Sequence, residues 1–266
     1  MDPTQPGFGS GLQSAQASLQ RNIRKFQFSM CKSNRVFLVV GKRGSGKSLL
    51  LLDILHKTRN MIDFALAMTA TIPTQKKLSR HIASQYVRLG GYDHDLADKF
   101  LQVCKALVQN KARRRNMALI LDDCIGGDNG KFLKGNTISS LVLNGRHFHS
   151  SLYITTQYLM TVPPAIRSNT DYVFVLAESS RVVRKKIWET FFGMISTFVE
   201  FEKFFSVATQ HYSALVLDTT QSSNNIEDCV FWYKAKVDTI PTDFHIGRKC
   251  FEFLKPKSHP DLKRLP

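Results

Sequence analysis

One eight-residue stretch of the chain has the residue types needed to hold a chain of phosphates. Residues 41–48 read GKRGSGKS, which fits the pattern G-x-x-x-x-G-K-[ST], between the apolar runs VFLVV and LLLLDIL. Glycines let the backbone wrap phosphates with its N–H groups pointing inward, and a helix that begins there directs its positive end at the same anions. The pattern predicts a nucleotide-binding loop made of Gly41, Lys42, Arg43, Gly44, Ser45, Gly46, Lys47 and Ser48.

Two side chains of this loop predict more than binding. The ammonium group of Lys47 would neutralise the β- and γ-phosphates, and the Ser48 hydroxyl is an oxygen ligand of the kind that Mg²⁺ prefers. An ordinary glycine-rich turn is the alternative, but it does not explain a strand pattern directly before the loop and a helix pattern directly after it. We therefore expect a nucleoside triphosphate and Mg²⁺ as cofactors.

Polar residues that end two further apolar runs supply the other parts of a hydrolytic site. ALILDD ends in Asp122 and Asp123, and LYITTQ ends in Gln157. Asp122 suits a Mg²⁺ ion bound through water, and Asp123 suits a base that orients the attacking water. The Gln157 amide could hydrogen-bond both that water and the γ-phosphate. The alternatives are an N-cap aspartate and a plain strand end.

One arginine admits two interpretations. Arg146, in NGRHFH, lies at the end of a predicted short helix, where a cation complements the helix dipole. It could also be an arginine finger that reaches into the nucleotide site of a neighbouring subunit, which can accelerate hydrolysis ~10³- to 10⁵-fold. Arg167, in PPAIRSNTD, is the rival candidate for that role.

The composition indicates a basic intracellular protein. The chain has 266 residues, with 37 Lys and Arg against 21 Asp and Glu, for a net charge of +16. Solubility alone needs a net charge of only about 2 to 8, so the excess favours a polyanion such as nucleic acid as partner. Its 5 cysteines form no CxxC pair, no signal peptide is recognisable, and no apolar run reaches the roughly 20 residues of a membrane span.

The periodicity of apolar residues predicts the elements that must position these groups. Strand patterns alternate with helix patterns, which favours an α/β fold with a mostly parallel central sheet and helices on both faces. We expect a flexible polar arm over residues 1–20, a single domain over 21–254 and a basic tail over 255–266. The patterns predict strands over 26–30, 35–40, 62–70, 117–123, 151–157, 171–178 and 213–219, and helices over 47–58, 73–89, 94–112, 136–147, 179–192 and 197–210.

The order of the motifs resembles a known family. GKRGSGKS, ILDDC, NGRH, ITTQ and VPPAIRSNTD, within about residues 26–180, resemble the genome-packaging ATPases of large nucleocytoplasmic DNA viruses, the poxvirus type included. These are similar to the FtsK–HerA class of DNA motors. The resemblance implies a P-loop NTPase core of the additional-strand, RecA/FtsK-like type. It also implies ATP as the nucleotide and a ring of five or six subunits that hydrolyses ATP at its interfaces.

The resemblance also implies roles and partners. Lys47 and Ser48 match the phosphate and metal residues, Asp122 and Asp123 the acidic pair, Gln157 the sensor and Arg146 the trans-acting arginine. Many bacterial relatives have Glu at the position of Asp123. The implied partners are double-stranded DNA and capsid vertex or portal proteins, in the virion or the cytoplasm of an infected cell. Candidate DNA contacts are Lys76, Lys77, Arg113, Arg114, Arg115, Arg184, Lys185 and Lys186.

Two other classes of function are compatible with the same loop. A nucleotide or small-molecule kinase would need a lid with paired arginines and an acceptor pocket, and it has no need of a net charge of +16. A nucleotide-switched scaffold that docks on a capsid vertex would account for the polar arm and the basic tail. Such a kinase usually also lacks a glutamine at the end of the strand after the acidic pair, whereas an ATPase assay with and without double-stranded DNA would distinguish the scaffold from the motor.

Overall fold

Nine strands form one sheet in the computed structural model, which describes residues 23–110, 115–126, 130–223 and 225–248. The order across the sheet is β1-β9-β8-β7-β2-β6-β5-β3-β4. The strands are β1 (Arg24–Lys25), β2 (Val36–Val40), β3 (Phe64–Thr69), β4 (Val87–Leu89), β5 (Met117–Asp122), β6 (Ser150–Thr156), β7 (Tyr172–Leu176), β8 (Ser213–Asp218) and β9 (Val230–Lys234).

The sheet is mostly parallel, and helices follow most of its strands. Among the described residues, β8 alone runs against the other strands, since its pairs with β7 and β9 are antiparallel and all other pairs are parallel. The predicted mostly parallel α/β sheet is therefore confirmed. The helices are α1 (Lys47–Thr58), α2 (Ile72–Leu78), α3 (His94–Gln109), α4 (Asn136–Asn144), α5 (Pro164–Ser168), α6 (Arg181–Phe191), α7 (Phe198–Ala208) and α8 (Ile226–Cys229).

The central strands are buried on both faces. Leu38 of β2 packs in a cluster with residues of α3, α4, α6 and α7, whereas its neighbours Phe37 and Val39 pack in a second cluster with α1 and α2. All five residues of β2 are buried. Continuous apolar runs of this kind are typical of parallel strands covered by helices on both sides. The phosphate loop therefore follows a strand that is packed against an apolar cluster on each face of the sheet.

Helix α1 is anchored from within. Its Leu51, Ile54 and Leu55 are buried, as the sequence predicts for a helix that is apolar on nearly all sides. The buried Asp53 accepts a hydrogen bond of 2.5 Å from the Tyr233 hydroxyl of β9, and burial raises the pKa of this carboxyl. These contacts fix the helix that begins at the phosphate loop against the sheet.

Two predicted elements are wrong in part. The helix predicted over 73–89 ends at Leu78, and Val87–Leu89 form β4, an edge strand parallel to β3. The helical spacing of apolar residues continues only to Ile82. Val87–Leu89 are extended because they pair with the edge of β3. The strand predicted over 26–30 is a short 3₁₀ turn, Phe28–Met30, because the chain leaves the sheet edge after β1.

Several predicted segments and residues lie outside the part of the chain that the structure describes. The arm over 1–20 and the tail over 255–266 lie outside the described residues, as do Arg113 and Arg114. In the part that the structure describes, no helix is both long and apolar enough to cross a bilayer.

Candidate nucleotide site

The three predicted motifs meet at the carboxyl edge of the sheet. β6 lies between β2 and β5, and all three strands are parallel, so their carboxyl ends lie side by side. In the register, Thr156 pairs with Val40 and Thr155 pairs with Asp122. The glycine loop after β2, the acidic pair at the end of β5 and Gln157 after β6 are therefore brought together as the sequence predicts.

The glycine loop has the backbone geometry of a phosphate cradle. Gly44 and Gly46 have φ values of 78° and 95°, in the left-handed region that favours glycine. A Cβ on Gly41 would lie 2.6 Å from Ser45 Oγ and 2.9 Å from Leu176 Cβ, so only glycine fits there. Ser45 Oγ is buried and has no hydrogen-bond partner among the described residues. Such an orphaned hydroxyl fits a site that donates to phosphate oxygens.

Lys47 is folded into the loop. The residue is 8% exposed, and its Nζ donates a hydrogen bond of 3.2 Å to the Lys42 carbonyl. Burial lowers the pKa of Lys47, and the nearby carboxylates of Asp123 and Asp122 act in the opposite direction. A bound phosphate chain would act like these carboxylates, because it would compensate the buried positive charge.

Asp122 is a buried carboxylate at the end of β5. The residue is 1% exposed, and Thr155 Oγ1 donates a hydrogen bond of 2.8 Å to its Oδ1. Burial raises the pKa of Asp122, while hydrogen bonds from Thr155 and Thr74 lower it. The Asp122 carboxylate at the end of β5 and the Ser48 hydroxyl in the first turn of α1 are oxygen ligands of the kind that suits Mg²⁺. These residues fit the predicted ion.

Asp123 and Gln157 form a hydrogen-bonded pair beside Asp122. Gln157 Nε2 donates to Asp123 Oδ2 at 2.7 Å, and Asp123 N donates to Thr155 Oγ1 at 2.9 Å. Asp123 has a φ of 52°, a left-handed conformation that ends the extended backbone of β5. A carboxylate and an amide in contact can both hydrogen-bond to one water beside them, as a hydrolytic site requires.

Thr155 contacts both members of the acidic pair, and the sequence pattern did not single it out as a site residue. Its hydroxyl accepts from Asp123 N and donates to Asp122 Oδ1, and the residue is fully buried. The only signal was a polar residue inside the run ITTQ, at a position where a buried strand normally has an apolar one. The hydroxyl links both members of the acidic pair to β6.

Arg146 lies at the amino ends of the parallel strands, on the side of the sheet opposite to the phosphate loop. It precedes β6, and its Nη2 donates to Asp171 Oδ1 at 2.6 Å. Asp171 precedes β7, accepts a second bond of 2.9 Å from Val36 N and lies 3.5 Å from Arg35 Nη1. The side chain of Arg146 is 63% exposed. The structure therefore does not bring Arg146 to the phosphate loop of its own chain.

The other basic candidates differ in how far their charges are engaged. Arg167 Nη1 donates to Thr190 Oγ1 of α6 at 3.4 Å. Arg184 makes an ion pair of 2.8 Å with Glu202, and Lys186 makes one of 2.9 Å with Glu189. Lys76 and Lys77 of α2 and Lys185 of α6 are exposed.

The strand order and the site at the strand ends define a class of protein. β6 is inserted between the strand that leads into the glycine loop and the strand that ends in the acidic pair. This is the additional-strand type of P-loop NTPase fold. A family model described as Poxvirus A32 protein matches residues 23–255, and the chain belongs to this family. The resemblance seen in the motifs is confirmed.

A relative and two solved structures agree with this assignment. Protein 088R of Invertebrate iridescent virus 3 is 34% identical over 216 residues, or 81% of this chain and 80% of that protein. The crystal structure of B204, the DNA-packaging ATPase from Sulfolobus turreted icosahedral virus, has a TM-score of 0.52 at 16% identity and covers 77% of this chain and 100% of its own. The genome packaging NTPase B204 from Sulfolobus turreted icosahedral virus 2 in complex with ATP-gammaS has a TM-score of 0.51 at 16% identity and covers 76% of this chain and 98% of its own. The structural similarities show a shared fold.

Proposed function

We propose that this protein is an ATP-driven motor that moves double-stranded viral DNA into a preformed capsid. The observation that carries the proposal is the meeting of Lys47, Asp122, Asp123 and Gln157 at one edge of the sheet. Family membership supports it, as does the likeness to structures described as a DNA-packaging ATPase and as a packaging NTPase in complex with ATP-gammaS.

The site supports hydrolysis by in-line attack of water. The loop amides and Lys47 would hold the β- and γ-phosphates, while Ser48, and Asp122 through water, would hold Mg²⁺, which neutralises charge on the phosphate oxygens. Gln157 and Asp123 would orient the water, whose oxygen forms a bond to the γ-phosphorus as the bond to the β–γ bridging oxygen breaks. Asp123 accepts the proton of the attacking water.

Arg146 would complete the site of a neighbouring subunit. It lies at the amino edge of the sheet and the phosphate loop lies at the carboxyl edge, so one chain cannot join them. A head-to-tail assembly brings the amino edge of one subunit to the carboxyl edge of the next, and such contacts close into a ring. We propose a ring of five or six subunits with ATP bound at each interface. Arg167 is the second candidate for the trans-acting arginine.

The charge of the chain suits a DNA partner. A net charge of +16 exceeds what solubility needs, and contacts to phosphates hold DNA without reading its bases. Exposed Lys76 and Lys77 are better candidates for such contacts than Arg184, whose charge is engaged by Glu202. The remaining partners would be capsid vertex or portal proteins, in the virion or in the cytoplasm of the infected cell.

Steady-state phosphate release with and without double-stranded DNA tests the proposal. We expect DNA to stimulate hydrolysis and the stimulation to weaken as salt rises, because counterion release drives the contact. Lys47→Ala should abolish hydrolysis and leave the fold intact. Phosphate transfer to a small acceptor would instead indicate a kinase. Nucleotide binding without turnover would indicate a nucleotide-switched scaffold.

A further inference from the structure

The turn between α7 and β8 lies beside the phosphate loop. β8 is antiparallel to β7, with Ala214 opposite Leu176, so the start of β8 lies at the carboxyl edge of the sheet. A Cβ placed on Gly46 would come within 3.5 Å of Cδ1 of Tyr212, the residue just before β8. Tyr212 therefore flanks the point where the phosphate loop becomes α1.

The backbone of this turn has a costly conformation. His211 and Tyr212 have φ values of 51° and 64°, so two consecutive residues other than glycine lie in the left-handed region. Tyr212 is 71% exposed, and burial of its ring in the core therefore does not offset that cost. Strained backbone that holds an exposed aromatic ring beside a binding loop is typical of a functional position.

The acidic pair sets the direction in which a nucleotide would lie. Across the sheet the relevant order is β8-β7-β2-β6-β5, with the phosphate loop after β2. Asp122, Asp123 and Gln157, after β5 and β6, define the side of the γ-phosphate. The ribose and base then extend to the other side of β2, towards β7 and β8. Tyr212 lies on that side.

We propose that Tyr212 stacks on the base of the nucleotide held by the phosphate loop. The inference rests on the proposed nucleotide binding and adds the subsite for the base. Every base has a π-face, so stacking on a phenol ring stabilises binding with weak discrimination between bases. The left-handed turn holds the ring in place before the nucleotide arrives, which reduces the entropy lost on binding.

A cavity of about 430 Å³ beside Lys42 is the rival location for the base. It lies between the end of β7 and helices α6 and α7, and its lining includes Glu178, Arg184 and Glu202. The ion pair of Arg184 with Glu202 gives this cavity charged groups, and its one aromatic lining residue, Phe205, is only 2% exposed. Tyr212 offers the exposed aromatic surface that the cavity lacks.

Calorimetric titration of the full chain with ATPγS and with inorganic tripolyphosphate, each with Mg²⁺, separates base from phosphate binding. We expect Tyr212→Gly to weaken ATPγS binding by about 10- to 100-fold and to leave tripolyphosphate binding unchanged. Tyr212→Phe, the matched control, keeps the ring and should bind both ligands like the wild type. Glycine is at ease at a positive φ, so Tyr212→Gly should unfold at no lower temperature than the wild type.

The possible results have distinct meanings. Equal ATPγS affinity in folded Tyr212→Gly and wild type would overturn the stacking and leave the proposed function standing. Equal losses for ATPγS and tripolyphosphate would also overturn it, because the turn would then shape the loop itself. Ser206 lines the rival cavity, so Ser206→Trp would obstruct it. If Ser206→Trp weakens ATPγS binding and Tyr212→Gly binds ATPγS like the wild type, the base lies in the cavity. A wild type that binds neither ligand would refute the nucleotide site as a whole.

Discussion

Asp123 shows how a backbone conformation restricts the choice of side chain for the proposed base. Its φ of 52° lies in the left-handed region, which Asp and Asn tolerate better than other residues with a Cβ. Its carboxylate also reaches the Gln157 amide at 2.7 Å. A glutamate would have to adopt the same φ with a longer side chain. The left-handed turn therefore gives a physical reason for aspartate rather than glutamate at this position.

Replacing Asp123 tests its role as the base. Asp123→Asn keeps the left-handed preference and the hydrogen bond from Gln157, so the fold should be retained. Loss of the base should lower kcat by about 10²- to 10⁴-fold. Asp123→Glu restores a carboxylate at a displaced position, and its kcat should lie between those of Asp123→Asn and the wild type. Phosphate release gives the rates, and an unchanged kcat in Asp123→Asn would assign the base elsewhere.

Because Asp122 is buried, its contribution to folding stability should depend on pH in a direction that can be worked out. Because burial raises the pKa of Asp122 in the folded protein, folding favours its protonated form. Its contribution to stability is present below the ordinary pKa of aspartate and is lost as pH rises through the raised one. The proposed hydrolysis would have the opposite pH dependence, because a Mg²⁺ ion at this site would need the ionised carboxylate. In the metal-free protein, the affinity for Mg²⁺ should therefore fall on acidification at a higher pH than an ordinary aspartate would cause, as a titration with Mg²⁺ at several pH values would measure.

Asp122→Asn separates the two effects. The neutral amide can still accept the bond from Thr155, so thermal unfolding at neutral pH should occur at a higher temperature than in the wild type. The difference in unfolding temperature between Asp122→Asn and the wild type should become smaller as the pH is lowered, because the wild-type carboxyl is then protonated. Hydrolysis should be lost at every pH. A lower unfolding temperature for Asp122→Asn at neutral pH would contradict this account of the buried charge.

At the scale of elements, β6 organises the site. Thr155 on this strand holds Asp122 through its donated bond and Asp123 through its accepted one. Gln157, just beyond the strand, adds a third connection, because its amide donates to the Asp123 carboxylate. The inserted strand is thus the element that fixes the acidic pair relative to the phosphate loop.

Removing the Thr155 hydroxyl should disturb hydrolysis through its neighbours. Thr155→Val keeps the shape but leaves the Asp123 N–H without its acceptor, which should destabilise the fold by about 1–3 kcal/mol in denaturant unfolding. Because Thr155 positions the acidic pair, kcat should fall while the affinity for ATPγS changes little. Thr155→Ser retains the hydroxyl and should restore both stability and kcat. An equal loss of kcat in the serine variant would show that the methyl group, rather than the hydroxyl, matters.

The sequence predicts the strands that carry the site better than it predicts the sheet edges. β2, β5 and β6 are long apolar runs with polar ends, so both their existence and their chemistry are visible in the residues. β1 and β4 are short edge strands, whose structure depends on pairing with β9 and β3. The bond from Arg146 to Asp171 and the two roles of Thr155 depend on contacts between distant segments, which no local pattern encodes.

At the scale of the whole molecule, the proposed trans-acting role of Arg146 would make activity a property of an assembly, because this residue lies away from the phosphate loop of its own chain. Arg146→Ala alone should lose about 10³- to 10⁵-fold in rate, and Lys47→Ala alone should be inactive. Mixed together, they should regain part of the activity, because some interfaces combine an intact Lys47 with an intact Arg146. Phosphate release from the mixture, with sedimentation to verify co-assembly, provides the measurement.

Arg167→Ala serves as the control for that mixing experiment. If Arg146 is the trans-acting residue, Arg167→Ala should retain most of its activity by itself. A verified mixed assembly without activity would exclude Arg146. Rescue that occurs only with Arg167→Ala would assign the role to the rival arginine.

The position of β2 has a consequence for synthesis on the ribosome. Both neighbours of β2 come much later in the chain, since β6 begins at Ser150 and β7 begins at Tyr172. At about 5–20 residues per second, the nascent chain carries this apolar strand unpaired for on the order of ten seconds. The loop that follows it is not held in shape until β6 and β7 have emerged. Nucleotide binding therefore cannot assist folding before β6 and β7 have been synthesised, and until then VFLVV stays exposed to other apolar surfaces.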